Sequence, residues 1–124
     1  MSLTTRGQAP VFQRHGVTFI SLAAPSRGAR ENSVWRFEVA PGTVGQPHRV
    51  TREETFVALH GRATIALDQT RVTLEAGDAL AVPAGSRLSL SNAGPERFEG
   101  LAVLPVGGQV EIDGMAPFVP PWAA

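Results

Sequence analysis

The sequence predicts an all-β fold, a small barrel built from short strands. Three observations carry that expectation. Thirteen glycines and ten prolines are spread along 124 residues and fall between short apolar runs. Those runs are about five residues long, with turn signals roughly every 8–12 residues, the rhythm of a sandwich or barrel. No stretch shows a helical apolar period with caps at both ends.

The elements follow in chain order. Val17–Leu22 is apolar-rich and belongs to an N-terminal strand segment, residues 11–22. Ser26–Asn32 is a polar loop. Val34–Val39 alternates, with Trp35, Phe37 and Val39 on one face and Arg36 and Glu38 on the other. Thr55–Leu59 and Ala63–Leu67 flank Gly61 and read as a hairpin. Asp68-Gln69 turns the chain into Arg71–Leu74, and Leu80–Val82, Arg87–Leu90 and Phe98–Leu104 follow. From Val106 the chain is rich in Gly and Pro, and consecutive prolines cannot donate to a ladder, so a tail is expected there rather than a strand. Phe118 and Trp122 in that tail are expected to plug an edge or a barrel mouth. The expected organisation is a single domain over 1–124, with a barrel core at about 33–105 and a Pro-rich tail at 106–124.

Composition excludes several chemistries. Eleven basic and eleven acidic residues leave no net charge. Nucleic acid and anionic membranes, which need a positive field, are not expected partners. The absence of Cys removes disulfides, thiolate metal sites and cysteine nucleophiles. All basic residues are Arg, so Schiff-base and phosphate-loop lysine chemistry are absent too. Only His15, His48 and His60 supply imidazole. No apolar run approaches the roughly 20 residues of a membrane span, and a cytoplasmic location is the expectation.

The chemistry concentrates in residues 42–61. His48 and Val50 lie two apart and share a strand face. On a straight strand Glu54 would lie about 20 Å beyond His48. The two can share one interior only if the chain reverses at Thr51–Glu53. His60 shares Glu54's parity but falls at the Gly61 turn and reads as solvated. Arg49, Arg52 and Arg62 read as a solvated face.

Gly42, His48, Glu54 and Gly61 stand in the register of the first motif of the cupin family, with Val50 at the second histidine position. Gly77, Pro83, Gly85 and Asn92 stand in the register of its second motif, with Leu88 at the histidine position. The chain thus resembles a small cupin with a degenerate metal motif. The resemblance implies a double-stranded β-helix, or jelly-roll, of the RmlC-like type, commonly a homodimer, with a site inside its cup. In that family three histidines and a glutamate usually bind a divalent metal. Only His48 and Glu54 of that set are present, so no metal is expected at full occupancy and a divalent ion would bind weakly, with Glu53 reaching the site only through a bulge.

The expected site therefore has His48 and Glu54 as the chemical pair, in either catalytic or weak metal-ligand roles. Val50, Phe56, Leu88 and Arg36 are expected to line the ligand space. A buried Glu54 needs a partner, and His48 or an inward Arg36 is the expected one. The expected function is binding of a small organic ligand, with metal-free isomerase, dehydratase or cyclase chemistry open to the pair. A metal-dependent cupin enzyme, such as a dioxygenase, and a structural or sensory module are the alternatives.

Overall fold

A computed structural model describes residues 1–124. The chain is almost entirely β. A hairpin of β1 (Val11–Arg14) and β2 (Val17–Ala23) opens it, turning at His15-Gly16, both with positive φ (47° and 83°). That is the two-residue turn whose twist suits a hairpin. The N-terminal segment is thus two strands. A 3-10 turn at Pro25–Arg27 lies in the expected polar loop. β3 (Asn32–Val39) follows, then β4 (Arg49–Val50), β5 (Glu54–His60), β6 (Arg62–Leu67) and β7 (Thr70–Glu75). β8 (Ala79–Val82), β9 (Leu88–Ser91), β10 (Phe98–Pro105) and β11 (Val110–Glu111) complete the strands, and a 3-10 turn at Pro121–Ala123 ends the chain.

The large sheet has the order β1-β2-β3-β10-β5-β8. Its period-2 alternation decides which side is inside. Trp35, Phe37 and Val39 of β3 and Phe98, Ala102 and Leu104 of β10 are buried, while Arg36, Glu99 and Leu101 face the other way. The second layer is β7-β6-β9. Reciprocal backbone bonds join His48 to Leu88, extending this layer through β4 to β11 and on to Phe118. The inner faces of the two layers enclose one apolar core, with Ile65, Leu74 and Leu88 on the small-sheet side.

Two expectations change. The segments around Gly61 are not a paired hairpin. β5 pairs with β10 and β8, whereas β6 pairs with β7 and β9, so Gly61 carries the chain from one sheet to the other. Apolar alternation on both sides of a glycine is the same for a hairpin and for a crossing, which is why the sequence favoured the commoner element. The tail also contains a strand. Val110 pairs with Val50, and Val110 and Phe118 exchange hydrogen bonds of 2.7 and 3.1 Å. The proline argument applies to Pro120-Pro121 alone; Val110 and Phe118 keep their N–H groups. Phe118 and Trp122 are both half-buried, in line with a plug. No helix is long and apolar enough to cross a membrane.

Gly61 has φ +75°, and a β carbon there would stand 2.4 Å from the Arg97 carbonyl oxygen. Gly61→Ala is therefore expected to lower stability by about 2–4 kcal/mol in urea unfolding. An unchanged midpoint would mean that the crossing tolerates a side chain.

Candidate functional site

Local backbone pairing places the imidazole. His48 and Leu88 are directly opposed in an antiparallel bridge, with N–H···O=C distances of 2.9 Å and 2.8 Å. Opposed residues point to the same face, and Leu88 is fully buried, so His48 faces the interior as well. Val50, two residues on and 3% exposed, shares that face. The ring itself is half-buried. Its one hydrogen bond is from Nδ1 to the Gln46 carbonyl at 2.9 Å. A carbonyl only accepts, so Nδ1 carries the proton and Nε2 keeps its lone pair. Burial lowers the imidazole's pKa, partly offset by the Gln46 bond.

Glu54 enters from the other sheet. The expected reversal at Thr51–Glu53 does not occur: residues 48–58 run antiparallel to 88–78 in one constant register, and both segments bend from the small sheet into the large one. Glu54 opens β5 opposite Val82, with Phe56 opposite Leu80. Glu54, Phe56 and Ala58 alternate inward. The carboxyl is 5% exposed, and its Oε1 is buried without any hydrogen-bond partner. Desolvation raises its pKa from 4.5 to about 8. At neutral pH the carboxyl is therefore protonated and the imidazole uncharged, the reverse of their ordinary order of acidity.

The expected ion pair is absent. Neither His48 nor Arg36 bonds Glu54. Arg36 lies on the outer face of β3, where its Nη1 meets Glu99 Oε1 at 3.0 Å. It does not line the cup. The parity that placed Trp35 inside places its neighbour outside, so the correction follows from the same alternation. Val50, Phe56 and Leu88 do face the interior with His48 and Glu54. His60 lies at the strand end, 3.6 Å from Glu96, and His15 sits in the β1–β2 turn; both are exposed. Glu53 is exposed, as are Arg49, Arg52 and Arg62. Asn92 is structural: its amide donates to the Val39 and Glu96 carbonyls and its oxygen accepts from Gly94 N–H.

Sequence reasoning missed Val110 and expected Phe118 only as a plug at an edge or barrel mouth. Val110 is opposed to Val50 and also to Phe118, which puts the three side chains on the same side of this ladder. Val119 and Trp122 are the half-buried tail residues that pack against the core. The alternation of Val110, Glu111 and Ile112 was a faint strand signal, masked by the surrounding Gly and Pro. Two clefts lie elsewhere, one of about 650 Å³ near Arg27 and Arg30 and one of about 540 Å³ near Arg62 and Asn92.

The family pattern described as "Cupin domain" matches residues 35–104, more than half the chain. The chain belongs to the cupin family. Among curated proteins none matches it. Among solved structures, this cupin is similar to the polyketide cyclase RemF from Streptomyces resistomycificus, with a TM-score of 0.79 at 20% identity over 94% of this chain and 87% of that one. It is similar to an RmlC-like cupin from Shewanella frigidimarina, at 0.71 and 14%, over 83% of this chain and 88% of that one. KdgF from Halomonas sp. gives 0.70 and 16%, over 84% and 94%. At identities this low the TM-scores show a shared fold alone.

The metal usual in the family does not fit these residues. At the two missing imidazole positions stand Val50 and Leu88, both buried and without a lone pair. No three His, Cys, Asp or Glu side chains gather where one ion could meet them. A tight site for a catalytic transition metal takes three protein ligands. His48 and Glu54 alone supply two.

The raised pKa of Glu54 makes a stability prediction. Its folded value, about 8, lies above the usual 4.5, so the fold binds the proton more tightly than the unfolded chain. The neutral carboxyl's advantage is complete below the unfolded pKa and is lost as pH rises through the folded one. Glu54→Gln stays neutral at every pH. Its stability relative to the unmodified chain is expected to rise between about pH 4 and pH 9, by up to about 4–5 kcal/mol in urea unfolding. A pH-independent difference would mean that Glu54 ionises as it does in water.

Proposed function

We propose that this cupin binds a small, uncharged, largely apolar organic molecule in its cup and moves protons on it with His48 and Glu54. The observation that carries this reading is the Glu54 carboxyl, buried among apolar side chains with an unpartnered Oε1. A buried polar atom left unpaired costs about 1–3 kcal/mol, and such atoms call for a partner that arrives from outside. A ligand oxygen accepting from the protonated carboxyl would supply it. A charged ligand would suffer the desolvation that already keeps Glu54 neutral.

The two groups divide the work. His48 Nε2 is the base and takes a proton from a carbon next to a carbonyl. Glu54 is the acid and gives its proton to the carbonyl oxygen, or to a departing hydroxyl that leaves as water. In the first case the product is an isomer of the substrate; in the second it has lost water. Either turn leaves imidazolium and carboxylate, and a proton returning from the first to the second through solvent restores both. Opposed pKa shifts within one cup are the arrangement that general acid–base catalysis requires. The likeness to a polyketide cyclase supports the reading through the fold alone.

A bicyclic aromatic ketone, α-tetralone, tests this. In D₂O near neutral pH the protein is expected to accelerate exchange of the α protons, followed by NMR. His48→Gln and Glu54→Gln are each expected to lose about 100-fold or more of that acceleration. Exchange at the buffer rate together with an unshifted melting temperature would overturn the reading.

We also propose that a second copy covers the outer face of the large sheet. Ile20, Val34, Val57, Leu101 and Val103 face away from the core there, and Leu59 is 44% exposed. β1 adds an unpaired edge with Val11 exposed. Apolar faces and free edges of this kind are usually covered. Sedimentation is expected to give twice the 13.1 kDa chain mass and Leu101→Arg to give a monomer; a monomer without the substitution would refute it.

A further inference from the structure

After Phe118 the chain leaves the small sheet and crosses to the large one. Its closing 3-10 turn lands on the inner face of β2 and β3. Ser21 Oγ donates to the Trp122 carbonyl at 2.7 Å, and Ser33 Oγ donates to the Ala123 carbonyl at 2.7 Å. The Trp122 ring stacks on Phe19, with centroids 3.6 Å apart and planes 2° from parallel. Ser21 and Ser33 are buried at inward strand positions that are otherwise mostly apolar. The carbonyls they hold account for the hydroxyls at those positions.

The landing point is level with Glu54. Thr55 is opposed to Val103, so Glu54 stands opposite Leu104, and Leu104 is opposed to Ser33. Glu54, Leu104 and Ser33 thus form one inward row across three adjacent strands, about 10 Å from end to end. At the other end of the crossing, Phe118 stands beside Val110, which stands beside Val50. The segment therefore spans the same end of the barrel that holds the buried carboxyl, from the Val50 side to the Ser33 side.

Its anchors are the reciprocal Val110–Phe118 backbone pair, the Ser21, Ser33 and Ser26 hydroxyls on the Trp122, Ala123 and Ala124 carbonyls, the Trp122 ring against Phe19 and Phe12, and Val119, Pro120 and Ala123 packed into the interior. Residues 113–117, which lead into it, are all exposed. Lifting 118–123 breaks these contacts and leaves the pairings within β1-β2-β3-β10-β5-β8 and β7-β6-β9 untouched.

We propose that residues 118–123 form a hinged wall of the cup: Phe118 determines which ligands fit beside Val50, and release of the Ser21 and Ser33 hydroxyls opens the way to Glu54. The ligand part of this inference rests on the cup being a binding site, as proposed above; the hinge does not.

Amide hydrogen exchange and a neutral dye, Nile red, separate the two parts. In the unmodified protein the amides of Val110 and Phe118 are expected to exchange at least about tenfold faster than those of Ala58 and Leu88, through an opening that spares the sheets. Ser33→Ala is expected to speed Phe118 exchange about fivefold and to leave Ala58 unchanged. Phe118→Ala, with Phe118→Leu as the milder variant, is expected to bind Nile red at least about tenfold more tightly than the unmodified chain. Exchange of Val110 and Phe118 only at the rate of global unfolding would overturn the hinge. Unaltered dye affinity in both Phe118 variants would overturn the role in fit. A hinge that opens in a protein inert toward α-tetralone would count against proton transfer and leave the wall in place.

Discussion

The two reciprocal hydrogen bonds between His48 and Leu88 are the constraint on which the site depends. They tie a two-residue strand, too short to hold its own position, to the edge of the β7-β6-β9 sheet. Everything that follows is register. Because His48 opposes Leu88, Val50 must also point inward, Val110 must follow Val50, and Phe118 must follow Val110. A slip of one residue would turn imidazole and valine outward together and present Arg49 to the core instead.

Against that layer stands a carboxyl that the fold keeps uncharged. Placing Glu54 at the first inward position of β5 takes it from water without giving it a partner. The nearest remedy by composition, an arginine on a neighbouring inward position, is absent; Arg36 is spent on Glu99 outside. Neutralisation by proton uptake is the remaining way to bury the group, and it raises the pKa to about 8. Replacing two imidazoles by Val50 and Leu88 reinforces this, since no cation held between such side chains would favour the carboxylate. One pair of substitutions thus removes a metal's ligands and leaves a carboxylic acid able to donate a proton.

The C-terminal segment links these two halves. It continues the small sheet through β11 and Phe118, then fastens to the large sheet through serine hydroxyls and an aromatic stack. A barrel closed by strand pairing on every side would bury the carboxyl permanently. Here one end is closed instead by a C-terminal stretch held through side-chain hydroxyls and aromatic packing. Gly61, at the opposite end of β5, shows the contrast: there the crossing is locked by a backbone approach that admits no side chain.

The sequence by itself determined the all-β class, the positions of eight of the eleven strands within a residue or two, and inward residues of β3 and β5. Period-2 alternation and turn residues are local, so they are legible one strand at a time. The spacing of Gly42, His48, Glu54 and Gly61 with Gly77, Pro83, Gly85 and Asn92 pointed to the family and singled out His48 and Glu54 as the candidate pair. Alternation also held the information that Arg36 faces outward, although a buried acid in need of a base made the opposite placement attractive. Only the tertiary structure decided which strands pair. Gly61 as a crossing, the pairing of Val110 with Val50 and Phe118 and the landing of Trp122 on Phe19 all join segments far apart in the chain. Only it decided that Glu54 has no partner, because a missing hydrogen bond is a property of everything that surrounds the atom. Local pattern states which way a side chain points; what it meets there is set by the register of strands that the pattern cannot count.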